Sequence, residues 1–237
     1  MTGVLWHDLE CGSYDLDLPL WRELADREGS PILDIGAGTG RVALDLARRG
    51  HEVVALDRSA ELLDALRERA GDLAITTVAA DARDFAIDRR FPLVLVPMQT
   101  LQLLGGAAGR ARCLACVRAH LTPGGLLAVA LADALECFDE EHDQPPPPDL
   151  REVGGVIYAS RPVRVRDLGD RAAIDRLRQI VAIDGTLTTE ENVVELDRFA
   201  PETLEEEAVA FGLRADPQRR IPQTLEYVGS TVVMLRG

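Results

Sequence analysis

The sequence predicts an α/β fold: a doubly wound, mostly parallel sheet with helices on both faces and an antiparallel three-stranded sheet inserted into it. Three observations carry this. Short apolar runs alternate with segments of helical periodicity over the first 131 residues. The first apolar run ends in an acid followed by alternating glycines, Asp34-Ile35-Gly36-Ala37-Gly38-Thr39-Gly40, which is a strand turning into a helix. Beyond Asp133 the helical pattern gives way to two-residue alternation between hairpin signals.

Leu16, Leu20, Trp21, Leu24 and Ala25 recur at helical spacing within residues 13–28, with Pro19 near the helix start. Residues 31–35 read as a buried strand, 41–49 as a helix closed by Gly50, and 51–56 as a second strand ending at Asp57. Ser59 suits the N-cap of a helix over 60–70. Strands follow at 74–79 and 93–96, then a helix over 109–120. Thr122-Pro123-Gly124-Gly125 stops it before a strand over 126–131. Pro145 to Pro148 form a stiff extended connection. Residues 156–165, 173–183 and 192–199 read as the inserted strands, joined at Gly169-Asp170 and Asp184-Gly185. Ile174, Arg176, Arg178 and Ile180 share one face of the middle strand. A helix over 202–211 and a strand over 231–235 close the chain.

A chain of 237 residues with 46% hydrophobic content builds a real core and is not disordered. The net charge of −14 makes a nucleic-acid backbone a poor partner. Every basic side chain is Arg, which excludes a Schiff-base lysine and the lysine of a P-loop. Cys113 and Cys116 form a C-x-x-C without a second pair or a histidine cluster, so they read as helix cysteines and no metal site is expected. His51 and His120 lie beside helix ends and read as solvent-facing. Without a leader pattern or a membrane-length apolar run, the expectation is a soluble, cytoplasmic protein with reduced thiols.

The glycine spacing is G-x-G-x-G rather than the G-x-G-x-x-G of dinucleotide enzymes. Asp34 stands before the first glycine, where it repels a diphosphate and suits a ligand with an ammonium group. Asp57 and Asp81 follow the second and third strands, at the ends where such sheets bind ligands. An acid after the second strand can accept both hydroxyls of a ribose.

The segments LDIGAGTGR (33–41), VVALDRS (53–59), AADAR (79–83), FPLVLVPMQTLQLL (91–104) and LTPGGLLAVAL (121–131) occur in order. Together they resemble the class I S-adenosylmethionine-dependent methyltransferases of small-molecule type. The resemblance implies a seven-stranded, Rossmann-like sheet and S-adenosylmethionine as cofactor. It places Asp34 at the ammonium, and Gly36, Ala37, Gly38 and Gly40 against the methionine and ribose parts. It puts Asp57 and the neighbouring Arg58 at the ribose, Asp81 and Ala82 at the adenine, and Pro97, Met98 and Gln99 at the methyl-donor pocket. Two departures stand out: Pro92 replaces an Asp of many members, and the His often found near Gln102 is missing.

The implied organisation is an N-terminal helical lid (1–30), a cofactor-binding core (31–135 and 200–237) and an inserted sheet (136–199) that caps the acceptor side or forms a homodimer interface. The methyl acceptor is a small molecule with an N or O nucleophile. Candidate catalytic residues are Glu136, just past a strand end, with Tyr14 and Gln99. Tyr14 lies either in the core or over the sulfonium, where its ring would make a cation–π contact. His142, Tyr158, Arg161 and Gln102 are further acceptor-side candidates. Two alternatives remain open on the residues alone: a nicotinamide-dependent oxidoreductase, and a non-catalytic S-adenosylmethionine-binding protein.

Overall fold

The computed structural model describes residues 2–132, 137–139, 147–224 and 228–237. Two helices come first, α1 (Thr2–Cys11) and α2 (Leu18–Glu28). The core then runs β1 (Ile32–Ile35), α3 (Arg41–Arg48), β2 (Val53–Asp57), α4 (Ala60–Ala70), β3 (Ile75–Ala79) and β4 (Phe91–Val96). A 3₁₀ turn (Thr100–Leu103), α5 (Gly106–His120) and β5 (Leu121–Leu131) follow. The insertion comprises β6 (Phe138–Asp139), β7 (Asp149–Val153), β8 (Val156–Asp167), β9 (Arg171–Val181) and β10 (Leu187–Asp197). The chain returns to the core with α6 (Pro201–Val209), β11 (Arg214–Ile221) and β12 (Ser230–Arg236).

The main sheet has seven strands in the order β3-β2-β1-β4-β5-β12-β11. β1 to β5 are parallel, β12 runs antiparallel to β5, and β11 antiparallel to β12. Strand order reverses between β1 and β4, which fixes where a ligand crevice opens. Because both faces are covered, the central strands read as continuous apolar runs. Ile32, Leu93 and Leu95 pack with Trp21, Leu24 and Leu63 on one face. Leu33, Ile35 and Val54 pack with Leu114, Val117 and Leu204 on the other.

Most elements fall where the sequence pattern predicts, and the Ser59 hydroxyl caps α4 by accepting from the Leu62 amide at 3.4 Å. The departures have physical reasons. β5 begins at Leu121 because Thr122 to Gly125 form a bulge within the strand: Phe91 pairs with Leu121 and Leu93 next pairs with Leu126. The inserted sheet has five strands rather than three, since short β6 and β7 both pair with β8. Gly154 and Gly155, both at positive φ, make the β7–β8 turn. His120 is not solvent-facing: it is buried, stacks beside Phe85 and accepts from the Ile87 amide at 2.9 Å. Cys113 and Cys116 are free thiols, and burial pushes Cys113 up to about 12. No group of side chains that could hold a metal occurs among the described residues. No helix among them is long and apolar enough to cross a membrane. Glu136, His142, Pro145 and Pro146 lie outside the described residues.

One side chain fastens the insertion to the core. Gln102, buried, donates from Nε2 to the carbonyls of Ala132 (3.1 Å) and Asp197 (3.0 Å). Its Oε1 accepts from the Ala132 amide at 2.9 Å. The segment leaving β5 and the end of β10 therefore meet on one amide. Asp197 reinforces this by accepting from the Gly106 amide at 2.5 Å. Gln102 is thus fully committed as a brace rather than free for an acceptor. Replacing Gln102 by Ala leaves three buried backbone groups unpaired and is expected to cost about 3 kcal/mol. Urea unfolding measures this; a loss below about 0.5 kcal/mol rejects the brace.

Candidate functional site

The site lies where β1, β2 and β4 end beside the strand reversal. Asp34, the third residue of β1, is 1% exposed; its carboxylate oxygens make no hydrogen bond of good geometry, the Ala43 amide being their nearest backbone donor. Burial pushes its carboxyl up to about 7, although the Arg41 guanidinium pulls the other way. Arg41, at the start of α3, is diverted from it. Its Nη1 and Nη2 donate to the buried Asp17 carboxylate at 2.5 and 2.7 Å. Its Nη1 also donates to the Tyr14 carbonyl at 2.8 Å. The Arg41 guanidinium lies 5.1 Å from the centre of the Tyr14 ring, so that ring already carries a cation from the protein.

Gly36 and Gly38 sit at φ +76 and +54°, a region that side-chain-bearing residues avoid. A Cβ at Gly36 would run into Thr100, and one at Gly38 into the His7 ring. The glycines thus let the 3₁₀ turn and α1 close down on the backbone. Asp57 ends β2 and braces the turn. Its Oδ2 accepts from the Gly38 amide at 2.9 Å and its Oδ1 from the Ser59 amide at 2.8 Å. Arg58 beside it is exposed.

Asp81, after β3, is gripped by its neighbour: Arg83 Nε and Nη2 donate to it at 2.9 and 2.6 Å. That pairing, with the Arg83 amide, holds its carboxyl down at about 2. Ala82 is buried next to it. Beyond β4, Pro97 is buried, and Met98 and Gln99 are half-buried. Met98 has φ +54°, and among the described residues no other non-glycine has positive φ. Such strain at a strand end is a feature of functional sites.

The structure therefore gathers Asp34, Gly36, Ala37, Gly38, Gly40 and Asp57 at one turn, with Pro97 to Gln99 at the end of β4. Tyr158, on β8, meets Trp6 edge-on at 5.6 Å between ring centres. An open cavity of about 640 Å³ is lined by Tyr14, Thr39, Arg41 and Arg151 among others. It shares the outer end of the turn but none of Asp34, Asp57 or Asp81, so it is separate from the crevice.

The sequence places residues 1–30 in a helical lid but shows helical spacing only over 13–28; α1 itself, which its short apolar set Leu5, Trp6 and Leu9 could have revealed, went unread. Asp8 of α1 accepts from Thr39 Oγ1 at 2.8 Å and from both ends of the Arg69 guanidinium at 2.8 and 2.6 Å. Glu10 accepts from Ser160 at 2.7 Å and from Arg178 at 2.7 and 2.9 Å. One helix thus touches the glycine turn, α4 and the inserted sheet.

Comparison with known proteins agrees with this geometry. Residues 32–125 match a family model described as a methyltransferase domain. A cypemycin N-terminal methyltransferase from Streptomyces sp is 32% identical over 161 residues, 68% of this chain and 63% of the relative. The chain thus spans less than two thirds of that protein's length. An S-adenosylmethionine-bound amino pentose methyltransferase from Micromonospora echinaspora superposes with a TM-score of 0.71 at 20% identity, covering 95% of this chain and 92% of that one. A glycopeptide N-methyltransferase complexed with S-adenosyl-L-homocysteine has a TM-score of 0.62 at 25% identity, covering 92% and 86%.

The fold is that of methyltransferases of known structure. Residues 32–125 carry a methyltransferase domain, and the amino pentose methyltransferase the chain superposes on holds S-adenosylmethionine. The residues present fit that cofactor: a buried carboxylate without a hydrogen bond of good geometry faces the need of an ammonium group, and the acids at β2 and β3 follow in order.

The buried Asp34 makes stability depend on pH. Its carboxyl stays protonated in the native state after it ionises in the unfolded chain, so stability falls as pH rises from the ordinary value of 3.8 to about 7. The fall attributable to this group is about 4 kcal/mol. Asp34→Asn is expected to flatten that part of the profile in denaturant unfolding; an unchanged profile would show that Asp34 does not titrate there.

Proposed function

We propose that this chain transfers the methyl group of S-adenosylmethionine to an amine nitrogen of a small molecule or peptide. The observation that carries the cofactor half is Asp34, a buried carboxylate without a hydrogen bond of good geometry at the glycine turn. The acceptor half is supported by the three proteins above, whose names specify an N-terminus, an amino sugar and a glycopeptide nitrogen.

S-adenosylmethionine supplies a methyl group already activated by its sulfonium. The protein's task is then to orient the nucleophile and exclude water. Asp34 would hold the ammonium as a carboxylate, its own proton passing to water. Asp57, already fixed by two backbone amides, offers its carboxylate to the ribose hydroxyls while keeping the turn in place. Asp81, with Ala82, borders the adenine. Pro97, Met98 and Gln99 shape the methyl pocket, and Tyr14 supports Arg41 beside it. The inserted sheet and α1 cap the acceptor side, joined by Glu10 and by the Trp6–Tyr158 pair. An amine acceptor must reach the site unprotonated, so turnover is expected to rise with pH through the acceptor's own titration.

Calorimetry with S-adenosylhomocysteine tests the cofactor, and no binding rejects the reading. Asp57→Ala is expected to weaken that binding by about 1–3 kcal/mol. Mass spectrometry on matched amine and hydroxyl acceptors tests the nitrogen preference; methylation of hydroxyl compounds alone rejects it.

A further inference from the structure

His7 is assigned no role above, yet its ring occupies the space that a side chain at Gly38 would fill. Gly38 is the residue whose amide holds Asp57 at 2.9 Å, so His7 and Asp57 flank the same point of the turn.

The hydrogen bonds around His7 determine which ring nitrogen carries its proton. Arg69 grips Asp8 through two contacts at 2.8 and 2.6 Å. Burial opposes the charge on Asp8, but Arg69 and Thr39 together keep its carboxyl below the usual range. Asp8 is therefore a pure acceptor, and the Thr39 hydroxyl spends its one proton on it at 2.8 Å. Thr39 Oγ1 also lies 3.3 Å from His7 Nδ1. With its hydrogen committed, Thr39 can only accept there, so Nδ1 carries the proton and donates. Nε2 is left with a lone pair. Burial also pushes the His7 imidazole below its ordinary value, against Asp8, Asp57 and Glu10, which keeps the ring neutral.

We propose that His7 is a further cofactor-binding residue whose Nε2 accepts a hydrogen bond from a ribose hydroxyl of S-adenosylmethionine, beside Asp57. The relay Arg69–Asp8–Thr39 sets the tautomer, and α1 delivers the ring to the turn. This rests on the cofactor reading above. It explains why Gly38 has no side chain and why Asp8 carries two arginine contacts on a short helix.

The test uses the full-length chain with two probes: S-adenosylhomocysteine, and methylthioadenosine, which keeps the ribose and adenine but lacks the amino acid. His7→Ala is expected to weaken both by about tenfold, the worth of one hydrogen bond. His7→Gln, which offers an acceptor oxygen, should recover part of the loss. Nitrogen NMR of the wild-type ring should show the Nδ1–H tautomer and a shift of Nε2 on adding either probe. Thr39→Val should mix the tautomers. Unchanged affinity in His7→Ala, a loss confined to S-adenosylhomocysteine, or an Nε2–H ring would each overturn the assignment. If the wild-type chain bound neither probe, the cofactor reading would fall and this assignment with it.

Discussion

The burial of one carboxylate without a hydrogen bond of good geometry organises this site. Asp34 belongs to β1, an interior strand, and is enclosed because β2 and β4 pair on either side of it. An ionised group there costs several kcal/mol, and the native chain meets that cost by holding the proton. A guanidinium stands near enough to influence it, yet Arg41 is locked onto Asp17 and the Tyr14 carbonyl. The protein thus keeps a cation close and withholds it. What Asp34 lacks is a donor from outside the chain, which is the chemistry an aminoacyl ammonium supplies.

The same economy appears around the turn. Asp57 is held by two amides from different elements, so its orientation is fixed before any ligand arrives. α1 ties the turn to α4 through Asp8 and to the inserted sheet through Glu10 and Trp6. Gln102 makes the second tie between core and insertion, from the 3₁₀ turn that follows β4. With two attachments the insertion cannot swing freely, and a change at the glycine turn has a direct mechanical route to the acceptor side.

Much of the core was legible because its strands are buried on both faces and its turns carry strong signals. The apolar runs, Ser59 and the glycines each had one local meaning. Asp34, Asp57 and Asp81 were legible as acids at the carboxyl ends of β1, β2 and β3, and the structure puts them there. What escaped was tertiary. Nothing local marks His7 as the partner of Gly38, or His120 as the buried acceptor of the Ile87 amide. β6 and β7 are short strands stabilised by pairing with β8 rather than by their own pattern. Gln102 looked like a pocket residue because a polar side chain after β4 has two possible destinations. Only the fold shows that it spends every hydrogen bond on backbone.

That commitment bears on how the chemistry proceeds. Asp57, Asp81, Gln102 and Asp197 are all engaged by protein donors, and Arg41 and Arg110 by protein carboxylates. A core whose polar groups are so occupied contributes orientation, and an activated methyl donor requires little more. The polar groups left to meet another molecule are then those of α1 and the insertion, which Glu10, Ser160 and Arg178 join. The insertion joins the core through a few side chains and backbone bonds, so its surface can vary without disturbing the cofactor turn.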